Sequence, residues 1–113
     1  MNERVRNYLI QAARSRKFVT YSQVNRDCDL RLDFDYQTGR NEIGRILGEI
    51  GAYEYRNNRP ILSAVVVHEG SNDHGKGFYN LCEELKIGDA RRLQRDHYGM
   101  AVMRECFDYW SQQ

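Results

Sequence analysis

Two sets of side chains in this sequence have types and spacings that could do chemistry. The first is His68, Glu69, Asp73 and His74. An imidazole beside a carboxylate can move protons, and imidazoles with carboxylates can hold a divalent metal. Their spacing matches no metal-ligand motif, and a stretch as rich in glycine as 70–77 is a poor rigid support for a catalytic group. They read as a solvated loop. No metal or cofactor is expected, and the chain is not expected to be an enzyme. The second set is Arg40, Asn41, Arg45 and Arg56, with Lys76 further on. Arginine and asparagine suit bidentate contacts to base edges, and cationic side chains suit phosphates. The plain alternative is an ordinary solvated helix. Glu42 and Glu49 on the same stretch weigh against an anionic partner.

Other chemistries are weaker still. Asp27, Asp29, Asp33 and Asp35 lack the glycine and terminal glutamate of a calcium-binding EF-hand loop. The glycines of 70–77 lack the GxxxxGK[ST] spacing of a phosphate cradle. Cys28, Cys82 and Cys106 are scattered, odd in number and without CxxC spacing, which fits reduced packing thiols in a cytoplasmic protein.

These residues need elements to position them. Val5, Tyr8, Leu9, Ala12 and Ala13 recur at helical spacing, predicting a first helix over 2–16. Phe18 and Val19 are expected to join the core through an extended link. Thr20-Tyr21-Ser22-Gln23 has capping-box spacing, so a short helix should cover 21–27 with Val24 inward. The alternation from Leu30 predicts a short exposed strand, or a loop that pins Leu30, Leu32 and Phe34 on the core. Ile43, Ile46, Leu47 and Ile50 follow the i, i+3, i+4, i+7 pattern of a third helix over 39–56. Gly44, Gly48 and Gly51 share a neighbouring face, and Arg40, Asn41, Arg45, Glu49, Ala52 and Arg56 lie away from the apolar stripe. Glycine costs about 1 kcal/mol against alanine inside a helix, so three of them predict close approach by another backbone, within the fold or from a partner.

Residues 61–67 form a continuous, largely β-branched run, and a buried strand is expected there. A loop over 69–77 should follow, then a helix carrying Phe78, Leu81, Cys82 and Leu85 and ended by Gly88. Asp89 can cap a last helix over 90–110, with Leu93, His97, Met100, Ala101, Phe107 and Trp110 on its inner stripe.

The chain has 113 residues and one proline, enough for a single domain over 1–113 and too little proline for a disordered linker. No apolar run reaches the roughly 18 to 20 residues of a membrane span, and no secretory signal is visible at Met1-Asn2-Glu3-Arg4. A cytoplasmic location with no membrane partner is expected. The net charge of +1 is not that of a protein that coats nucleic acid. Residues 1–60 hold 11 basic and 8 acidic side chains, and 61–113 hold 6 and 8, which allows a small basic patch in the first half. Eight tyrosines are many for this length; some must be partly exposed, which favours a protein partner or a homodimer.

The order of helix, capped short helix, longer helix, strand and loop is that of a winged helix-turn-helix. In Phe18-Val19-Thr20-Tyr21-Ser22-Gln23-Val24, in Gly39-Arg40 with Ile43-Gly44-Arg45-Ile46-Leu47, and in Pro60-Ile61-Leu62 before a glycine loop, the chain resembles the winged-helix domain of alkyltransferase-like DNA repair proteins. The likeness covers about residues 18–85. It implies an α+β, mainly helical winged-helix-like domain with a short sheet and an added C-terminal helix. It also implies that the helix over 39–56 faces DNA and that the 70–77 loop with Lys76 is the wing. The family's reactive cysteine should fall near 62–65, where this chain has Leu62-Ser63-Ala64-Val65, so alkyl transfer is excluded. The stretch 60–85 is also similar to small bacterial proteins without an assigned function. The leading expectation is a small non-catalytic DNA-binding module. The alternative is a protein–protein interaction module, an adaptor or inhibitor from a phage or mobile element.

Overall fold

A helix of twenty residues, α3 (Gln37–Arg56), carries the centre of the structure on one face: Ile43, Ile46, Leu47 and Ile50 are all buried, as their spacing predicts. This computed structural model describes Met1–Gln113. In chain order its elements are α1 (Glu3–Arg14), β1 (Val19–Thr20), α2 (Tyr21–Asp27), α3, a 3-10 turn (Leu62–Val65), β2 (Val66–Val67), α4 (Lys76–Glu84), α5 (Ala90–Arg95) and α6 (Tyr98–Ser111). The architecture is mainly helical α+β, and its one sheet has two strands. None of the helices is long and apolar enough to cross a membrane.

The local signals in the first half act as expected. Asn2 starts α1 by accepting from the Val5 amide at 2.9 Å, and Val5, Leu9 and Ala13 face inward with Ile10. Thr20 accepts from the Gln23 amide at 3.2 Å while the Gln23 side chain accepts from the Thr20 amide at 2.9 Å, so the capping box of α2 is complete. Residues 30–36 form a loop rather than a strand. The Asn25 side chain replaces a strand partner by donating to the Leu32 carbonyl at 2.9 Å and accepting from its amide at 3.0 Å. Leu30, Leu32 and Phe34 then rest half-buried against the core.

Five expectations need correction. The run 61–67 is not one strand. Its first part is a 3-10 turn, closed by the Ala64 amide on the Ile61 carbonyl at 3.0 Å, and only Val66 and Val67 are extended. All seven residues are buried, between α1, α3 and α6. A segment enclosed by helices has no long strand to pair with, so it satisfies its backbone locally; an apolar run alone does not distinguish the two forms. Phe18 is exposed, and only Val19 joins the core. α4 ends at Glu84, short of Gly88, with Lys86 in the left-handed region (φ 63°). The last helix is two helices, divided at His97 (φ 55°). The break changes the phase of the inner face. Leu93 and Trp110 are buried as expected, but His97, Met100 and Ala101 point outward, and Val102, Met103 and Cys106 are buried in their place. Ala52 of α3 is buried too.

The three glycines of α3 divide. A methyl at Gly51 would fall 2.8 Å from both Leu81 and Ser63, so close packing explains that one. A methyl at Gly44 or Gly48 would meet nothing within 4 Å.

Candidate nucleic-acid interface

The position of the site follows from one piece of register. β1 and β2 run parallel, with Val19 opposite Val66 and Thr20 opposite Val67. One residue beyond each strand, Tyr21 and His68 therefore come side by side. Their ring centroids lie 4.8 Å apart, and the planes are tilted by 39°. Gly75 closes against both: a methyl there would fall 2.8 Å from the Tyr21 hydroxyl and 3.0 Å from His68 Nε2. Burial pushes the Tyr21 phenol above its ordinary value, so it stays a neutral hydroxyl.

These residues form one wall of a groove of about 690 Å³. The groove is also lined by Arg40, Ile43 and Gly44 of the first half of α3, by Phe34, and by Lys76 next to Gly75. Arg40 donates to the Phe34 carbonyl at 2.5 Å and to the Gln37 side chain at 3.1 Å. Neither Arg40 nor Lys76 forms an ion pair, and both are exposed. The nearest acid in the groove, Glu69, accepts from Thr20 Oγ1 at 3.3 Å. The groove thus holds two cations without a carboxylate partner, and aromatic rings line it.

Of the five residues expected to contact nucleic acid, the structure brings Arg40 and Lys76 together and places the other three elsewhere. Asn41 lies about 100° further around the helix, and Arg45 about 140°. Asn41 accepts from Gln37 at 2.7 Å. Arg45 pairs with Glu42 at 2.6 Å and with Glu49 at 3.6 Å, so its charge is answered on its own surface. Those contacts hold the Glu42 carboxyl below its ordinary range. Arg56 is exposed at the far end of α3, about 24 Å along the axis from Arg40. Lys76 opens α4 rather than lying in a loop, and no strand follows the 69–75 connection, so this loop is not the turn of a hairpin.

Tyr21, His68, Phe34 and Gln37 also line the groove, and the sequence reading did not place them in an interface. Only the β1–β2 register would have found the first two, and strands of two residues leave no readable pattern.

The His68–His74 loop is not simply solvated. His74 is buried, its Nε2 donating to the Ala64 carbonyl at 2.6 Å. No three His, Cys, Asp or Glu side chains come together in a way that could hold a metal ion. The thiols of Cys28, Cys82 and Cys106 are buried, and burial raises all three, Cys82 to about 11; a thiol held neutral is a poor nucleophile. The 3-10 turn, where the resembled repair family carries its reactive cysteine, is wholly buried, and the Ser63 hydroxyl in it has no hydrogen-bond partner.

Comparison with protein-family models, with curated proteins and with solved structures found no match for this chain.

Proposed function

We propose that this protein is a small non-catalytic DNA-binding module of winged-helix-like type, which meets the nucleic acid with the first half of α3 and the start of α4. One observation carries the reading: Arg40 and Lys76 come from distant parts of the chain to border the same groove, and neither is paired with an acid. Cations held by neutral acceptors can turn to phosphates without first breaking an ion pair. The outward faces of Gly44 and Gly48 favour it too, because a sugar–phosphate chain can approach a helix closely where there is no side chain. The surface is small, and its two unpaired cations should give log affinity against log salt a slope of about −2.

The test is a titration with duplex and single-stranded DNA across a range of salt. Affinity should fall steeply with salt, and Arg40→Ala and Lys76→Ala should each flatten the slope by about 1. No binding to either form at low salt would remove the reading.

A protein partner is the second reading, and one feature favours it. Tyr53 and Tyr55 are exposed at the other end of α3, and Tyr55 borders a second groove of about 460 Å³ with Tyr98, Pro60 and Glu105. A complex that survives high salt and weakens on Tyr55→Ala would support it.

A further inference from the structure

The loop between β2 and α4 sets one side of the groove, and a single buried side chain fastens it. The His68 amide donates to the Asp73 carbonyl at 2.9 Å, and the Asn72 amide to the His68 carbonyl at 3.0 Å, so the loop is a closed turn. Immediately after it, His74 turns into the protein. Its Nε2 reaches the Ala64 carbonyl in the 3-10 turn. Its ring lies 5.0 Å from Phe78 and edge-on to Tyr79 at 6.4 Å, both on α4. The other ring nitrogen, Nδ1, abuts Gly99 at the start of α6, where any side chain larger than hydrogen would collide with it. The Gly99 amide in turn donates to the Tyr79 hydroxyl at 3.2 Å. The next residues in sequence are Gly75, which packs on Tyr21 and His68, and Lys76, which borders the groove.

We propose that His74 is a pH-sensitive latch that positions the groove. Held neutral, it locks the loop against α4, α6 and the 3-10 turn and keeps His68 and Lys76 in place; protonated, it lets the loop go. This rests on the groove being the binding site. The chemistry follows from the surroundings. A carbonyl takes the one proton on Nε2, and a second proton on Nδ1 would point at the Gly99 backbone, in a place where burial penalises charge. Asp73 and His68 are the charged and titratable neighbours on its own loop, pulling in opposite directions. α4 adds the Tyr79 phenol, itself pushed up by burial and so uncharged, and α6 and the 3-10 turn face the ring with Gly99 and a backbone carbonyl.

The sign follows. Burial lowers the His74 pKa from its ordinary 6.5. The closed loop therefore takes up a proton less readily than the open one. The latch is complete above that value and is lost as pH falls through it and below.

Loop amides followed by NMR in the free protein, from about pH 8 to about pH 5, test this directly. The His68, Asn72 and Lys76 amides should move together with a midpoint below that ordinary value. The transition should persist in His68→Gln and disappear in His74→Gln. Gly99→Ala, which presses on the ring without touching loop or groove, should shift the same amides at about pH 8 toward their low-pH positions. A transition that survives in His74→Gln, or vanishes in His68→Gln, would overturn the latch, as would loop amides that do not titrate. Duplex affinity is then measured in His68→Gln, which removes the other imidazole of the groove, and should fall about tenfold between the two ends of the range. Loop amides that titrate as stated in a protein that binds no duplex would support the latch and remove the DNA reading.

Discussion

At the C-terminal end of α3, Glu54 is fully buried and gripped by Arg6 at 2.5 Å and by Arg59. At the N-terminal end, Arg40 reaches a backbone carbonyl and a glutamine side chain, and no carboxylate. One helix thus handles charge in two ways. Around Glu54 two arginines share one buried counter-ion, and both guanidinium groups also sit over the Tyr53 ring, at 5.4 Å for Arg6 and 5.5 Å for Arg59. Such a cluster ties α1, α3 and the chain beyond α3 together. The groove end shows the reverse: Arg40 is exposed and bound only to neutral acceptors, so its charge stays available. Pairing of a charge, more than its sign, separates the arginines around Glu54 from Arg40.

The largest effect should come from breaking the paired end. Glu54→Gln removes the shared counter-ion of two arginines. It should lower unfolding stability by about 3 kcal/mol, toward the low end for a broken buried pair because both guanidinium groups reach water. Denaturant unfolding measures it; a loss below about 1 kcal/mol would mean that the cluster is no clamp. Next comes Gly39→Ala, whose methyl would fall on the Asp33 carbonyl oxygen in the loop before α3. It should cost about 1–3 kcal/mol, the range for a forced backbone shift. If the groove binds DNA, this variant should also lose affinity, since Arg40 is the next residue.

Arg40→Ala should do the opposite of Glu54→Gln. Duplex affinity should fall by about tenfold and stability should stay within about 0.5 kcal/mol of the parent, so a large fall in melting temperature would erase the distinction between the two ends. The smallest effect is the sharpest test of the exposed glycines. Gly48→Ala should stabilise by up to about 1 kcal/mol, because nothing surrounds the new methyl in the free protein. If the outer face of α3 lies against a partner, the same variant should bind more weakly while being more stable.

Much of the first half was legible because its signals are local. The α2 capping box, the α1 stripe and the four apolar positions of α3 need only neighbours within a turn or two to act. The second half was read less well where tertiary packing chose between local options. The 61–67 run had strand composition, yet its enclosure by three helices left room for only two paired residues. The last helix looked continuous until His97 adopted a left-handed conformation and turned Met100 and Ala101 outward. The candidate site divided in the same manner. Arg40 and Lys76 were readable as cations near the right elements, and Arg45 looked equivalent until its two glutamates were seen to hold it.

By itself the sequence determined the three helices of the first half, where α2 starts, which stripes of α1 and α3 turn inward and which cations stand on α3, since periodicity and capping act within a few residues. Tertiary structure alone decided that Tyr21 meets His68, that Arg40 and Lys76 share a groove while Arg45 does not, and that His74 is buried. Those outcomes depend on a two-residue parallel register and on which side chains a folded neighbour leaves free, and neither is written at any fixed spacing along the chain.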